Sequence, residues 1–455
     1  MSPESRRKAF YALVWRWHFY AGLYVVPCFV MLALTGLVLL AKGPVERWQY
    51  GALVADSPGP SASHEARLRA AEAAMPDATF VRYEPGLDGA VTRVFVERRT
   101  HPFTIFVDPV TARVRGAVDG ETGIASLADT MHGTFLVGNT GDRLIEIAAG
   151  LGVMLLVSGL YLWFPGLSRV MTTFRIRRHP VRIAWRDLHA VTGVVLAPVL
   201  LFYLVSGLAW AGVWGEWFVQ AWNTFPAAKA APEGGGAHVH EALNGYGPKV
   251  VPWNLEQTLL PVSYVPDGHP SAAPERLSLD TAIAIAQDVG IGRNFWVGVP
   301  LGMDGVWTVA QTAMAANVAD PRDEKTVHVD QYSGAVLGVV DWHDYGIGAK
   351  GMAAGIPLHM GYLGPWNIAS AAATCLAVIV LAVSGVAMWW KRRPARAGRL
   401  VAPPVLPEVD IPAVTWVTLA VLAIGMPLFG ATIVAVALAD WLVLRHLPGL
   451  RARLS

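Results

Sequence analysis

Residues 15–40 read WRWHFYAGLYVVPCFVMLALTGLVLL, and a second copy of their pattern stands near the middle of the chain. With His18 set against His189, Gly22 meets Gly193, Pro27 meets Pro198, Gly36 meets Gly207, and Thr35 faces Ser206. Each stretch predicts a long apolar helix with one histidine near its start. About twenty apolar residues span the hydrocarbon layer of a bilayer, where an ionisable side chain is costly unless it is paired or coordinated. Two matched helices carrying two matched histidines point to one shared ligand.

The whole chain has the composition of an integral membrane protein. Of 455 residues, 54% are hydrophobic and only 15% charged, which excludes an ordinary soluble globule. The net charge of +2 says little, but the placement of Lys and Arg sets orientation. Arg6, Arg7 and Lys8 precede the first span. Arg169, Arg175, Arg177, Arg178 and Arg182 lie between the second and third, and Lys391, Arg392, Arg393, Arg396 and Arg399 follow the fourth. These segments are expected to face the cytoplasm, with the N-terminus. The two cysteines, Cys28 and Cys375, fall inside predicted spans, so there is no disulfide framework, zinc CxxC or CxxCH haem attachment. The first apolar run is too long for a signal peptide and lacks a small-residue cleavage site before Lys42, so it reads as an uncleaved span.

Taken in order, the chain divides into a first span (1–42), a small α+β module (60–120), and a histidine segment with the second span (125–166). A basic loop (167–183), a third span (184–212) and a Gly/Pro-rich loop with a second α+β module (213–342) follow. The fourth span comes with its own histidine segment (343–391), and a last apolar region (411–446) closes the chain. In the first module a helix is expected at His64 to Ala74 and strands near Thr79 to Tyr83, Val91 to Glu97 and Phe103 to Val107. In the second, a helix runs from Leu277 to about Val289, with strands near Asn294 to Val299, Val306 to Gln311 and Thr326 to Val329. Val329-Asp330-Gln331-Tyr332-Ser333-Gly334 stands where Val107-Asp108-Pro109-Val110-Thr111-Ala112 stood. Spans two and four both end in SGxxxW and an aromatic, at Ser158 and Ser384. The fold is therefore a membrane α-helical bundle with an internal duplication: four core transmembrane helices, a C-terminal fifth, and two small α+β modules outside the membrane. The last region, broken at Gly425-Met426-Pro427, reads as one kinked span, with a hairpin as the alternative.

His18 and His189 fall at one face of the membrane. His132, in HGTFLVG, and His359, in HMGYLG, fall at the other. Two pairs at two depths are the pattern of two haems, each held by histidine on both sides of the iron. Without CxxCH these would be non-covalent haem b. Gly22 and Gly193, one turn beyond their histidines, would clear space for a porphyrin, and Arg16 and Arg186 could pair with its propionates. With a hydrocarbon core of about 30 Å, the haems would sit roughly 20 Å apart, so electrons could cross the membrane. The structural alternatives are an interfacial or capping role for each histidine and positive-inside snorkelling for each arginine. His179 reads as solvated, and His238 and His240 form an HVH that is either loop or a metal-binding arrangement. His328 lies in a strand, and His343, in DWHDYG, is either an ordinary polar residue ahead of HMGYLG or a neighbour of the external haem. No GxGxxG follows a strand and opens a helix, so no flavin or nicotinamide domain is expected.

WRWHFYAGLYVVPCFVMLALTG, LHMGYLG, SGxxxWW and HVDQYSGAVLG resemble the PepSY-associated transmembrane family, over nearly all of Arg6 to Arg393. Some members look like di-haem ferrisiderophore reductases of bacterial inner membranes. The resemblance implies periplasmic PepSY modules and b-type haems on His18, His132, His189 and His359. Ala112, where the second module has Gly334, departs from the family's pattern. The expected function is electron transfer to ferric siderophore or ferric iron in the periplasm, with no catalytic protein nucleophile. The expected partners are membrane lipid and a quinol or separate donor protein, and no nucleic acid. The alternative is a non-enzymatic membrane-anchored PepSY protein that binds or regulates a periplasmic protease or assembly partner.

Overall fold

The computed structural model describes residues 2–164, 174–215, 238–245, 247, 249–263, 275–394, 400–404, 409–442, 446–447 and 449. The glycine run at 234–236 and Arg169, Arg396, Arg399, Arg445, Arg451 and Arg453 lie outside the described residues. In chain order the helices are α1 (Pro3–Leu40), α2 (Lys42–Tyr50), α3 (His64–Ala74), α4 (Ile124–Thr134), α5 (Gly138–Trp163), α6 (Val181–Leu208), α7 (Trp253–Glu256), α8 (Leu279–Asp288), α9 (Ile347–Met360), α10 (Pro365–Arg392), α11 (Ala413–Gly425) and α12 (Pro427–Leu442). The strands are β1 (Thr79–Glu84), β2 (Thr92–Arg98), β3 (His101–Val107), β4 (Val114–Asp119), β5 (Trp296–Gly298), β6 (Val306–Gln311), β7 (Lys325–Asp330) and β8 (Val336–Asp341). The chain forms two units, one from residues 1–37, 129–219 and 372–455 and the other from 38–128 and 220–371.

Four helices, α1, α5, α6 and α10, are long and apolar enough to cross a membrane. Each starts earlier than its apolar run, because the residues ahead of that run hold helical geometry as well. Pro27 and Pro198 sit inside α1 and α6 at matching places. A span tolerates such a break when neighbouring groups meet the freed carbonyl. In the first unit α5 is the most enclosed span, and its small residues let neighbours close in. A side chain at Gly150 would strike Phe429, and one at Gly152 would strike Phe29.

The C-terminal apolar region departs from the single kinked span. At about 1.5 Å per residue, the 13 residues of α11 and 16 of α12 are each too short for a core of about 30 Å. The chain folds back at Met426 instead. A Cβ on Gly430 would lie 2.9 Å from Ala423 Cβ, a contact that a continuous helix cannot make between residues seven apart. Trp214 Nε1 donates to the Gly425 carbonyl at the reversal, 2.8 Å, satisfying a carbonyl that the helix end leaves without an intrahelical partner. The two legs form a hairpin, packed through Phe429, Leu419, Leu422 and Ile433 against Ala21, Val25 and Leu151.

The second unit holds a finding the sequence did not signal. The two modules are joined in one eight-stranded antiparallel sheet, ordered β4-β3-β2-β1-β5-β6-β7-β8. At the junction Arg82 pairs with Gly298 and Tyr83 with Val297. The residues at the starts of α3 and α8, His64 and Leu279, are equivalent, and the same offset maps Arg82 to Val297 and Tyr83 to Gly298. The pairing is therefore self-complementary, like a two-fold interface between subunits. Helix ends repeat the symmetry. The Asp280 carboxylate accepts the N–H groups of His64 (2.8 Å) and Glu65 (3.0 Å), and the Glu65 carboxylate accepts that of Leu279 (2.8 Å). Each module thus caps the other's helix. Below the two helices one core runs through both modules, including Leu68, Tyr83, Val94, Ile105, Ile283, Val297, Trp307 and Val329.

The turn at Asp108 to Thr111 leads into β4, and its counterpart at Asp330 to Ser333 into β8, and these two outer strands are the faintest in the sequence. VRGAVD and VLGVVD carry a central glycine and no fully buried residue, so they lack the alternation that marks a half-buried strand. Ala112 departs from its Gly334 counterpart without changing the turn. It takes φ +53 where Gly334 takes +74, at a steric cost of about 1 kcal/mol. In both turns an aspartate, Asp108 or Asp330, accepts the N–H groups two and three residues on.

Candidate functional site: paired histidines in the membrane helices

On α1, Trp15, His18, Phe19 and Gly22 are spaced to share one face. The His18 ring meets that of His189 from α6, with centroids 6.4 Å apart and planes at 84°. Metal–imidazole nitrogen bonds of about 2 Å on either side of one ion put ring centres roughly 6 Å apart. The matched histidines of the duplicated helices therefore stand at the separation expected of two ligands to one metal.

The other helices fix these rings. His18 Nδ1 lies 2.9 Å from Ser158 Oγ on α5, and His189 Nδ1 lies 3.0 Å from Ser384 Oγ on α10. The next residue is glycine each time. A Cβ on Gly159 would come to 3.3 Å from His18 Cε1, and one on Gly385 to 3.6 Å from His189 Cε1. The SG pairs shared by spans two and four are thus the seats of the two imidazoles. Their hydrogen bonds use Nδ1, which leaves Nε2 as the nitrogen free to ligate. Nothing lies within 4 Å of a Cβ placed on Gly22, whereas one on Gly193 would touch Leu381 at 3.6 Å. The open position is one turn beyond His18, as a cradle for a flat ring requires.

His132 and His359 occupy matching places, each in the last turn of a short helix, α4 or α9, just ahead of a span. They belong to different units. His132 Nδ1 lies 2.8 Å from Thr35 Oγ1, and a Cβ on Gly36 would lie 3.7 Å from its Cε1. A hydroxyl–glycine pair again seats an imidazole. The turn after His132 holds Phe135 at φ +49 and Leu136 at φ +62. Side chains rarely accept such angles; the turn after His359 uses Gly361 and Gly364 at positive φ instead.

Arg16 and Arg186 are both engaged within the protein. Arg16 donates to the Pro403 carbonyl (2.6 Å) and lies over Tyr20. Arg186 pairs with Asp187 (2.9 Å), which also takes Arg177. Two further donors, one at the end of α10 and one at the end of α5, each have an atom without a partner among the described residues. Arg392 lies over Trp15, 4.8 Å from the ring centre. Its Nε, and Nε1 of Trp163, are buried with no hydrogen-bond partner. In the sequence Arg392 is hidden within a basic cluster that positive-inside bias explains by itself.

Two of the remaining histidines, His240 and His328, pair in the sheet unit. His240 is buried, not a loop ligand. Its Nδ1 donates to the Thr258 carbonyl (2.9 Å), so its Nε2 accepts from His328 Nε2, 3.0 Å away, while His328 Nδ1 takes the Thr308 hydroxyl at 3.0 Å. Every link is satisfied with both rings neutral. Burial pushes His240 down to about 4 and His328 well below the usual imidazole range. Burial also raises Glu324 to about 7, although it accepts from the Ala313 N–H and the Tyr345 hydroxyl. Lowered histidine values mean that the pair's contribution is intact above pH 6.5 and lost as pH falls through 4. The raised Glu324 value acts oppositely, its contribution being intact below pH 4.5 and lost as pH rises through 7. Glu324→Gln is therefore expected to steady the unit above pH 7, and His328→Gln to flatten its acid loss between pH 6.5 and 4. Unfolding followed by Trp296 and Trp307 fluorescence measures both; an unchanged pH profile in either variant contradicts the assignment.

The family model described as the PepSY-associated TM region matches residues 15–392. The match takes in all four histidines and both hydroxyl–glycine seats of the His18/His189 pair, and ends before the C-terminal hairpin. No curated protein matches the chain.

Proposed function

The chain belongs to the PepSY-associated transmembrane family, and from that premise we propose that this multi-pass membrane protein is a b-type di-haem electron carrier. It would reduce ferric siderophore or ferric iron on the periplasmic side of a bacterial inner membrane. The observation that supports this reading most is the His18/His189 pair, two facing imidazoles whose Nδ1 atoms are taken and whose Nε2 atoms are free. His18 and His189 would hold one haem, with Gly22 giving it room and Arg392, beside Arg16 and Arg186, offering N–H to its carboxylates. By the pattern of the sequence duplication alone, His132 and His359 would hold the second haem. Haem supplies a one-electron Fe(III)/Fe(II) couple when bound. By the distribution of Lys and Arg, the N-terminus and the His18/His189 pair would face the cytoplasm, where a quinol or a separate protein would supply the electron.

Reduction of a siderophore's Fe(III) to Fe(II) weakens its bonds to hard oxygen ligands and releases iron. The test is anaerobic mixing of the reduced full-length protein with a panel of ferric hydroxamates and catecholates, followed by its visible spectrum. Reoxidation by at least one is expected. Failure with all of them, in a protein that contains haem, removes the reductase part and leaves the electron carrier. A colourless protein from haem-replete cells removes both and returns the modules to a binding or regulatory role.

A further inference from the structure

From the hydroxyl–glycine pairs of the spans we infer that Ser158 and Ser384 are positioning residues that fix the tautomer and the donor strength of the His18 and His189 imidazoles. The inference rests on the haem reading above. Each hydroxyl has one proton, and in each case the helix takes it. Ser158 Oγ donates to the Met154 carbonyl at 2.7 Å, Ser384 Oγ to the Val380 carbonyl at 2.6 Å, and Thr35 Oγ1 to the Met31 carbonyl at 2.9 Å. The oxygen that faces the imidazole can then only accept. Nδ1 must carry the ring proton and Nε2 the lone pair, the form that ligates a metal. His189 gives an independent check, since its Nδ1 also faces the Leu381 carbonyl at 3.1 Å, a group with no proton to give. Glycine at the next position lets the ring approach. The sequence thus encodes, in two adjacent residues, both an acceptor for the ring proton and room for the ring. A serine that merely packed in a span would need neither a second partner nor a following glycine.

An Nδ1–H···O bond makes the imidazole a stronger donor, and loss of such partners typically costs metal affinity about 10–100-fold. A stronger donor favours the ferric form, so removing the bond should raise the midpoint potential of the haem between His18 and His189. Each tenfold difference between the losses of the ferric and ferrous forms moves it by about 59 mV. The experiment is a redox titration with haem quantitation on full-length Ser158→Ala, Ser384→Ala and Ser158→Thr. Thr418→Ala is the comparison, because its hydroxyl also bonds its own helix, at Val414, and serves no histidine in the described structure. Both alanine variants should raise one of two potentials and bind that haem more weakly. Ser158→Thr should restore both properties, as Thr35 already serves His132, and Thr418→Ala should match the parent. Unchanged potentials and haem content in both alanine variants overturn the positioning role while leaving the haem assignment standing. A parent protein without haem overturns both.

Discussion

On the di-haem reading, His189→Ala is expected to leave the purified protein with one haem per chain in place of two, and His18→Ala should remove the same one. Both outcomes follow if the two rings, 6.4 Å apart, serve one iron. Pyridine haemochrome assay against protein concentration gives the count, and redox titration identifies the missing centre. His132→Ala should remove the other. If His18→Ala and His189→Ala deleted different haems, the pairing would be wrong even though the protein was red. Leucine variants separate the reading from plain packing. A structural imidazole whose Nε2 has no partner costs about 1–3 kcal/mol, and in a membrane interior leucine would relieve that cost. Packing alone therefore predicts that His18→Leu with His189→Leu raises the melting temperature. The haem reading predicts the opposite, because bound cofactor stabilises the folded state by mass action and the double variant forfeits it.

Much of the His18/His189 site is legible in the sequence because duplication supplies an internal comparison. His18 and His189 stand out because everything around them, from Gly22 and Gly193 to Pro27 and Pro198, repeats in step. The SG pairs were equally visible as a motif, yet their role was not, since nothing in one chain's spacing tells which span faces which. That depends on α5 and α10 presenting Ser158 and Ser384 to rings carried by α1 and α6. The same limit hid the joined sheet. Arg82 and Gly298, or Glu65 and Leu279, are separated by more than two hundred positions, and their local patterns are those of any strand or helix start. The C-terminal hairpin was ambiguous for a different reason. Gly425-Met426-Pro427 breaks a helix in either arrangement, and only the contact of Gly430 with Ala423 decides between a kink and a reversal.

The reciprocal caps between α3 and α8 carry the second large expectation: Asp280→Ala should destabilise the sheet unit by about 2–4 kcal/mol. The Asp280 carboxylate satisfies two backbone N–H groups at the start of α3, each a charge-assisted bond whose loss costs roughly 1–2 kcal/mol once water takes part of its place, and it opposes the positive end of that helix dipole. Glu65 returns one such bond to Leu279, so Glu65→Ala should cost less, about 1–2 kcal/mol. Its contact with Arg69 is largely exposed and adds little. The two carboxylates lock the same pair of helices, and once one is lost the helices can part and weaken the other. The double variant should therefore lose less than the sum of the single losses, with a coupling of at least about 0.5 kcal/mol. The junction beneath has few bonds to compensate, because β5 spans only Trp296–Gly298. Chemical unfolding of the full-length protein in detergent, followed by tryptophan fluorescence and by protease cleavage within residues 38–371, gives the four free energies. A loss below about 0.5 kcal/mol for Asp280→Ala, the level of an ordinary surface substitution, would show that the two modules are held by their shared strands and core alone.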